Sequence, residues 1–235
     1  IRGLMAFPLA PLAIPAAAQT LPTGASIVHG SGSVAVSGNA MTVTQGSARM
    51  VADWQSFSIG AANSVRFVQP SADAVALNRV TGSDPSAIFG SLSANGHVYL
   101  QNPNGVLFAP GAQVSVGSLV ATSLNVDVPA FLNGRLQLSG DSARGSVHNA
   151  GSLVTTEGGH VVLVAPQVAN SGHISTPGGT AALVAGTAVR VDPTGAGLLD
   201  ISVPAAAVNA KLEQSGTITA DGGAASATPG GRVRA

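Results

Sequence analysis

Asn149-Ala150-Gly151-Ser152-Leu153-Val154-Thr155 is followed by Asn170-Ser171-Gly172-His173-Ile174-Ser175-Thr176 and later by Gln214-Ser215-Gly216-Thr217-Ile218-Thr219-Ala220. The glycine steps from 151 to 172, a displacement of 21, and from 172 to 216, a displacement of 44 that amounts to about two further periods. Each copy runs into a glycine pair, at Gly158-Gly159, Gly178-Gly179 and Gly222-Gly223. Short β-branched segments between Gly and Asn turns, repeated at a period near 21, are a solenoid pattern. Leucine-rich repeats share the length but need a fixed ladder of Leu, which is absent. A parallel β-helix fits. Its coils stack ~4.8 Å apart, so each strand pairs with the strand one coil away. Equivalent inward side chains then lie on one another, which predicts Leu153 and Ile174 inside on adjacent coils. One coil cannot bury its own core, so stability grows with coil number.

The rest of the chain after Leu21 has the same texture. Val34-Ala35-Val36, Met41-Thr42-Val43-Thr44, Val65-Arg66-Phe67-Val68, Val98-Tyr99-Leu100, Val114-Ser115-Val116 and Val189-Arg190-Val191 are strand-length and often alternate. Helical periodicity is absent over any long window; Ala205 to Leu212 is the one segment suited to a turn or two of helix.

Charged residues are 9% of the chain and the net charge is zero. Eight Asp, Glu157 and Glu213 supply the acid, and Lys211 is the single lysine. No basic field exists to attract a phosphate backbone, which argues against a nucleic-acid partner. Cysteine is absent, so disulfide scaffolds and thiolate metal sites are excluded. The five histidines (29, 97, 148, 160 and 173) show no metal-ligand spacing and are expected on solvent-facing strand positions. The glycine pairs lack the Lys-Ser/Thr of a phosphate loop and the calcium-binding nonapeptide. No cofactor is expected.

Leu4 to Ala18 is apolar, carries Pro8, Pro11 and Pro15, and ends in Ala16-Ala17-Ala18. Small residues at 16 and 18 fit signal-peptide cleavage between Ala18 and Gln19. Residues 1–18 are therefore expected to be the remnant of a signal peptide and residues 19–235 the mature domain. The run is too short and too rich in proline for a membrane span, and stable membrane insertion is not expected.

Asn102-Pro103-Asn104-Gly105 is the densest local signal. Pro presets the second position of a β-turn, Asn tolerates the third, Gly closes it, and the Asn102 side chain can bond backbone two residues on. A rigid corner between Val98-Tyr99-Leu100 and Val106-Leu107-Phe108 follows; turn chemistry alone does not say whether a partner reads it. Trp54 and Phe57 flank Ser56 and suit a cap at the N-terminal end, with sugar stacking as the alternative. Arg79 has Asp73 or Asp84 as candidate ion-pair partners, or faces a transporter.

With these segments in hand the chain resembles the N-terminal domain of the filamentous haemagglutinin family of two-partner-secreted exoproteins. That family includes high-molecular-weight adhesins, haemolysins and haemopexin-binding exoproteins. The resemblance rests on segments in the family's order: Leu21-Pro22-Thr23-Gly24, Asp53-Trp54-Gln55-Ser56-Phe57-Ser58-Ile59-Gly60, Val65-Arg66-Phe67-Val68-Gln69-Pro70, Ala76-Leu77-Asn78-Arg79-Val80, Ile88-Phe89-Gly90, Asn95-Gly96-His97-Val98-Tyr99-Leu100 with the Asn-Pro-Asn-Gly turn, and Val116 to Ser123. They cover residues 21–125; over 145–235 the likeness is to repeat style. A second Asn-Pro-Asn-Leu motif found in some members is absent, which places the chain nearer the high-molecular-weight adhesin branch.

The resemblance implies an all-β, right-handed parallel β-helix of three-sided coils, with an N-terminal cap and short extra-helical strands. It implies the N-terminal part of a longer exoprotein of a Gram-negative bacterium, sent through the periplasm to the cell surface or medium. The partner it implies is an outer-membrane barrel transporter with periplasmic docking domains. The passenger crosses extended and folds outside. Asn102, Pro103, Asn104 and Gly105 are the candidate recognition turn, and Trp54, Phe57, Asn78 and Arg79 the further motif residues. An autonomous adhesin or host-ligand-binding β-helix is the alternative function. A polysaccharide-cleaving enzyme would need clustered carboxylates, and the acids here are scattered, so no enzyme is expected.

Overall fold

Leu153 pairs with Ile174 in parallel register and Ile174 with Ile218, and both Leu153 and Ile174 are fully buried. The computed structural model in which they do so describes residues 21–140, 145–193, 199–205, 210–221, 223–229 and 232–234. The expected cleavage site at Ala18 and Gln19 lies outside the described residues, as does Gly222. The fold is all-β and matches the expected right-handed parallel β-helix.

Among the described residues the tube has three faces. The first runs from Ser26–His29 through Arg49–Trp54, Val75–Val80, His97–Gln101, Ser118–Thr122, His160–Ala165 and Thr180–Ala185 to Ala224–Pro229. The second runs from the hairpin Gly32–Ser37 and Ala40–Gln45 through Ser64–Val68, Ser91–Ala94, Gln113–Val116, Ser152–Thr155 and His173–Ser175 to Thr217–Thr219. The third comprises Ser86–Ile88, Val106–Phe108, Ser146–Asn149, Gln167–Asn170 and Lys211–Gln214. Residues alternate between interior and exterior along each strand, so Met41, Val65, Leu92, Val114, Leu153 and Ile174 stack into one column. Each such buried Leu, Ile or Val stabilises the tube by roughly 1.5–3 kcal/mol. At the N-terminal end the strand Ser26–His29 pairs antiparallel with Arg49–Trp54, the two strands of the hairpin pair antiparallel with each other, and Leu21, Ile27 and Val34 close the core. The cap is thus these residues. Trp54 and Phe57 lie under it in the interior, their rings 5.3 Å apart and edge to face.

Two features keep the coils in register. The amide of Asn149 donates to Asn170 Oδ1 at 2.8 Å, and that of Asn170 to Gln214 Oε1 at 2.8 Å, so the first residue of each repeat copy forms a ladder. The second glycine of each pair faces the backbone of the coil above. A Cβ on Gly179 would stand 1.7 Å from the Gly159 carbonyl oxygen, so no other residue fits there.

The step of 44 residues is one coil, not two. Ile174 pairs directly with Ile218, because the chain leaves the tube after Thr180–Ala185 and returns at Lys211–Gln214. The excursion forms the antiparallel strands Ala188–Pro193 and Leu199–Ala205. An earlier excursion supplies Asn125–Val126, a short helix Val128–Leu132 and Leu136–Ser139. Together with Arg232–Arg234 they make a fourth, antiparallel sheet. Asp127 caps the helix by accepting the Ala130 N–H, and Pro129 sits in its first turn. At Ala205 to Leu212, where a turn of helix was the expectation, Ala205 ends one strand and Lys211–Gln214 is another; 206–209 lie outside the described residues.

This extra layer covers the outer side of the first face. Val120, Val162, Val164, Ala182 and Val184 pack against Leu136, Leu138, Val189, Val191 and Ile201. Val51, Val75 and Leu77 pack under Phe131 of the helix. The middle of that face is therefore buried on both sides, which is why Ser118–Thr122 and Thr180–Ala185 are buried at every position. No helix among the described residues is long and apolar enough to cross a membrane.

Candidate functional site

The chain leaves the first face at Gln101 and turns the corner through Asn102-Pro103-Asn104-Gly105. Asn102 is fully buried, and its side chain serves both directions. Its Nδ2 donates to the Asp84 carbonyl at 2.9 Å and to Ser86 Oγ at 3.0 Å; its Oδ1 accepts the Asn104 N–H at 2.9 Å. The Gly105 N–H closes the turn on the Asn102 carbonyl at 2.9 Å. Asn104 Nδ2 donates to the Gly82 carbonyl at 2.9 Å, which clips the turn to the preceding coil. Gly105 has φ 112°, a region that other L residues rarely adopt. The expected bond from Asn102 to backbone two residues on is present.

Pro103 and Asn104 remain half exposed and form one wall of a polar groove of about 620 Å³. Arg79, Thr81, Ser83, Gln101 and Asn125 line the rest. The groove offers amides, hydroxyls and backbone, with Arg79 the one charged residue lining it. That charge is spoken for. Arg79 Nε donates to Asp53 Oδ1 at 2.7 Å and its Nη2 to Oδ2 at 2.9 Å, a two-bond ion pair between strands one coil apart. Asp73 and Asp84, the partners expected from sequence proximity, do not hold it.

One residue before Arg79 the chain turns inward. Asn78 is fully buried, and its Oδ1 accepts the Trp54 indole N–H at 3.0 Å. Its Nδ2 donates to the Ala76 and Tyr99 carbonyls at 3.3 Å each. The motifs Asp53-Trp54 and Asn78-Arg79 therefore lock adjacent coils twice, by an ion pair outside and a hydrogen bond inside. With Trp54 and Phe57 at 0% and 1% exposure, the sugar-stacking alternative falls.

The expectation of solvent-facing histidines fails at two positions. His97 and His160 sit on the outer side of the first face under the extra layer, their rings 5.6 Å apart and edge to face. Ser118 occupies the register position between them, and its small side chain lets the rings meet. Burial, chiefly, and the neighbouring His97 push the His160 imidazole down to about 3. Burial lowers His97 as well; Asp73 works against that shift and Arg49 adds to it. Burial raises Tyr99 to about 12, with Arg49 opposing. Sequence spacing held no signal for this cluster. Among the described residues no three His, Cys, Asp or Glu side chains converge to hold a metal ion.

The chain matches the TPS secretion domain family over residues 18–234, so the likeness extends well past residue 125. It is 47% identical over 112 residues to a heme/hemopexin-binding protein of Haemophilus influenzae strain Rd, covering 48% of this chain and 12% of that protein. A second Haemophilus influenzae heme/hemopexin-binding protein is 49% identical over 87 residues, 37% of this chain and 9% of that one. The matched segments thus span about a tenth of these relatives. The fold superposes on the crystal structure of the HMW1 secretion domain from Haemophilus influenzae with a TM-score of 0.82 at 26% identity, covering 88% of this chain and 55% of that chain. The family comprises secretion domains of exoproteins of Gram-negative bacteria, each paired with an outer-membrane transporter. The chain belongs to the TPS secretion domain family.

Proposed function

We propose that residues 19–235 are the export signal of a larger surface protein, read by a cognate outer-membrane barrel through periplasmic docking domains. The leader is removed before Gln19, the chain crosses extended, and the domain folds outside and templates the coils that follow. It binds no nucleic acid, needs no cofactor and catalyses no reaction.

The observation that supports recognition at the Asn102-Pro103-Asn104-Gly105 turn is the locality of its bonds. Asn102 Oδ1 to Asn104 N–H and the Asn102 carbonyl to Gly105 N–H both close within four residues. Such a turn, preset by Pro103, can exist before any coil does. In the folded domain Pro103 and Asn104 are also the half-exposed members of the turn.

Asn104→Ala tests it. The substitution loses two part-buried hydrogen bonds, to the Gly82 carbonyl and to Asn102 Oδ1, each worth about 0.5–1.5 kcal/mol, and leaves the buried core untouched, so the purified domain still folds. With the partner barrel co-expressed, secretion is expected to fall several-fold. Secretion equal to wild type would overturn the recognition role.

The relatives' names favour a second proposal for the whole protein: that it binds haem or haemopexin. Capture on hemin-agarose or immobilised haemopexin, comparing the full-length protein with residues 19–235, would assign that activity to this domain or away from it.

A further inference from the structure

Between the first face and the layer that covers it lies a half-enclosed cavity of about 140 Å³. Its floor is Val75, His97, Tyr99 and His160; Phe131 of the helix, Leu136 and Val191 form the other walls. The Arg49 guanidinium stands 5.4 Å from the Phe131 ring centroid. Gly134 leaves the space beside it open, since a Cβ there would come within 3.3 Å of Arg49 Nη2.

The polar groups of this cavity are unspent. Arg49 makes no ion pair, and neither its guanidinium, the Tyr99 hydroxyl nor the rings of His97 and His160 hydrogen-bond to any described residue. None of them is among the sealed, partnerless polar atoms of the interior, so they open to the cavity they line. Unpaired donors in a half-enclosed slot at the junction of two layers are the usual makings of a ligand site. The two-bond ion pair of Arg79 with Asp53 shows by contrast what an unoccupied guanidinium lacks.

The lining selects the ligand. A planar guanidinium is matched to a carboxylate by two parallel bonds. Phe131, Val75, Leu136 and Val191 supply an apolar wall beside the polar lining residues. A cavity of roughly 150 Å³ takes up a benzene ring. Arg49 and Arg135 against Asp73 leave the lining with one net positive charge while the imidazoles are neutral, which favours an anion over a cation. We propose that this cavity binds a small aromatic carboxylate, its carboxylate on Arg49 and its ring against Phe131.

Benzoate is the probe, with benzamide (neutral), benzyl alcohol (neutral) and acetate (charged, without the ring) as comparisons, on the whole domain at pH 7. Saturable binding of benzoate at least about tenfold tighter than any of the three is expected, with the His97 and His160 ring resonances moving on titration. Arg49→Gln should reduce benzoate to the level of benzamide, while Arg66→Gln, on another face, should not. Failure to saturate, equal binding of acetate or benzamide, or resonance changes confined elsewhere would overturn the site. If Arg49→Gln does not fold, the ligand comparison and the histidine resonances on the unaltered chain still decide.

Discussion

Asn78 accepts the Trp54 indole N–H at 3.0 Å inside the tube, one coil away from it and next to the residue that pairs with Asp53. A buried donor left without its acceptor costs about 1–3 kcal/mol. Asn78→Leu should therefore lower the melting temperature by several degrees. Trp54→Phe removes the donor, and the double variant Trp54→Phe/Asn78→Leu should be more stable than the two single losses added together. Additive losses in denaturant melts would mean that the pair is not coupled.

Leu153 and Ile174 touch across one coil boundary in the core. Leu153→Asp or Ile174→Asp puts an unpaired carboxylate among apolar side chains and should cost several kcal/mol, enough to abolish the cooperative transition. Val154→Asp, one residue along and facing partly outward, should cost far less. Similar losses for Leu153→Asp and Val154→Asp would contradict the register.

Stability should fall as pH drops below about 6.5. His160 and His97 titrate lower in the folded domain than the ordinary value of 6.5, so the unfolded chain binds more protons in that range. Their contribution is complete above 6.5 and is lost as pH falls towards about 3, the folded value of His160. The groups facing them are Arg49, Tyr99, Asp73 and Arg135. Between pH 6.5 and about 5 most carboxylates do not yet titrate, so the slope there reports the histidines. His160→Phe keeps an aromatic edge against His97 and Tyr99 and should flatten that slope in melts taken across the range. An unchanged slope would remove His160 from the acid sensitivity.

The Ala16-Ala17-Ala18 run predicts that exported material begins at or within a few residues of Gln19. Terminal sequencing of secreted protein settles this. Retention of Phe7 to Ala18 would rule out the leader.

The tube was legible wherever spacing carries geometry. A step of 21 between Leu153 and Ile174 means that they stack, and they do. The partner of Arg79 was not legible. Asp73 and Asp84 are nearer in sequence, but the strand register brings Asp53 alongside from 26 residues upstream. The covering layer did leave a trace: Val161 to Val164 and Ala181 to Val184 are apolar at every position, the mark of a strand buried on both faces. The helix Val128–Leu132 is too short for periodicity, yet Asp127 and Pro129 are a readable start signal. The His97–His160 contact depends on a small Ser118 between two strands, and no linear pattern encodes that.

The two excursions have a consequence for length. Each coil raises the tube by ~4.8 Å whatever its number of residues. From Leu153 to Ile174, 21 residues gain one such rise; from Ile174 to Ile218, 44 residues gain the same. Chain length and rod height are thereby uncoupled. Material added where the chain leaves the first face thickens the rod and leaves its reach unchanged, so reach must be counted in stacked strands and not in residues.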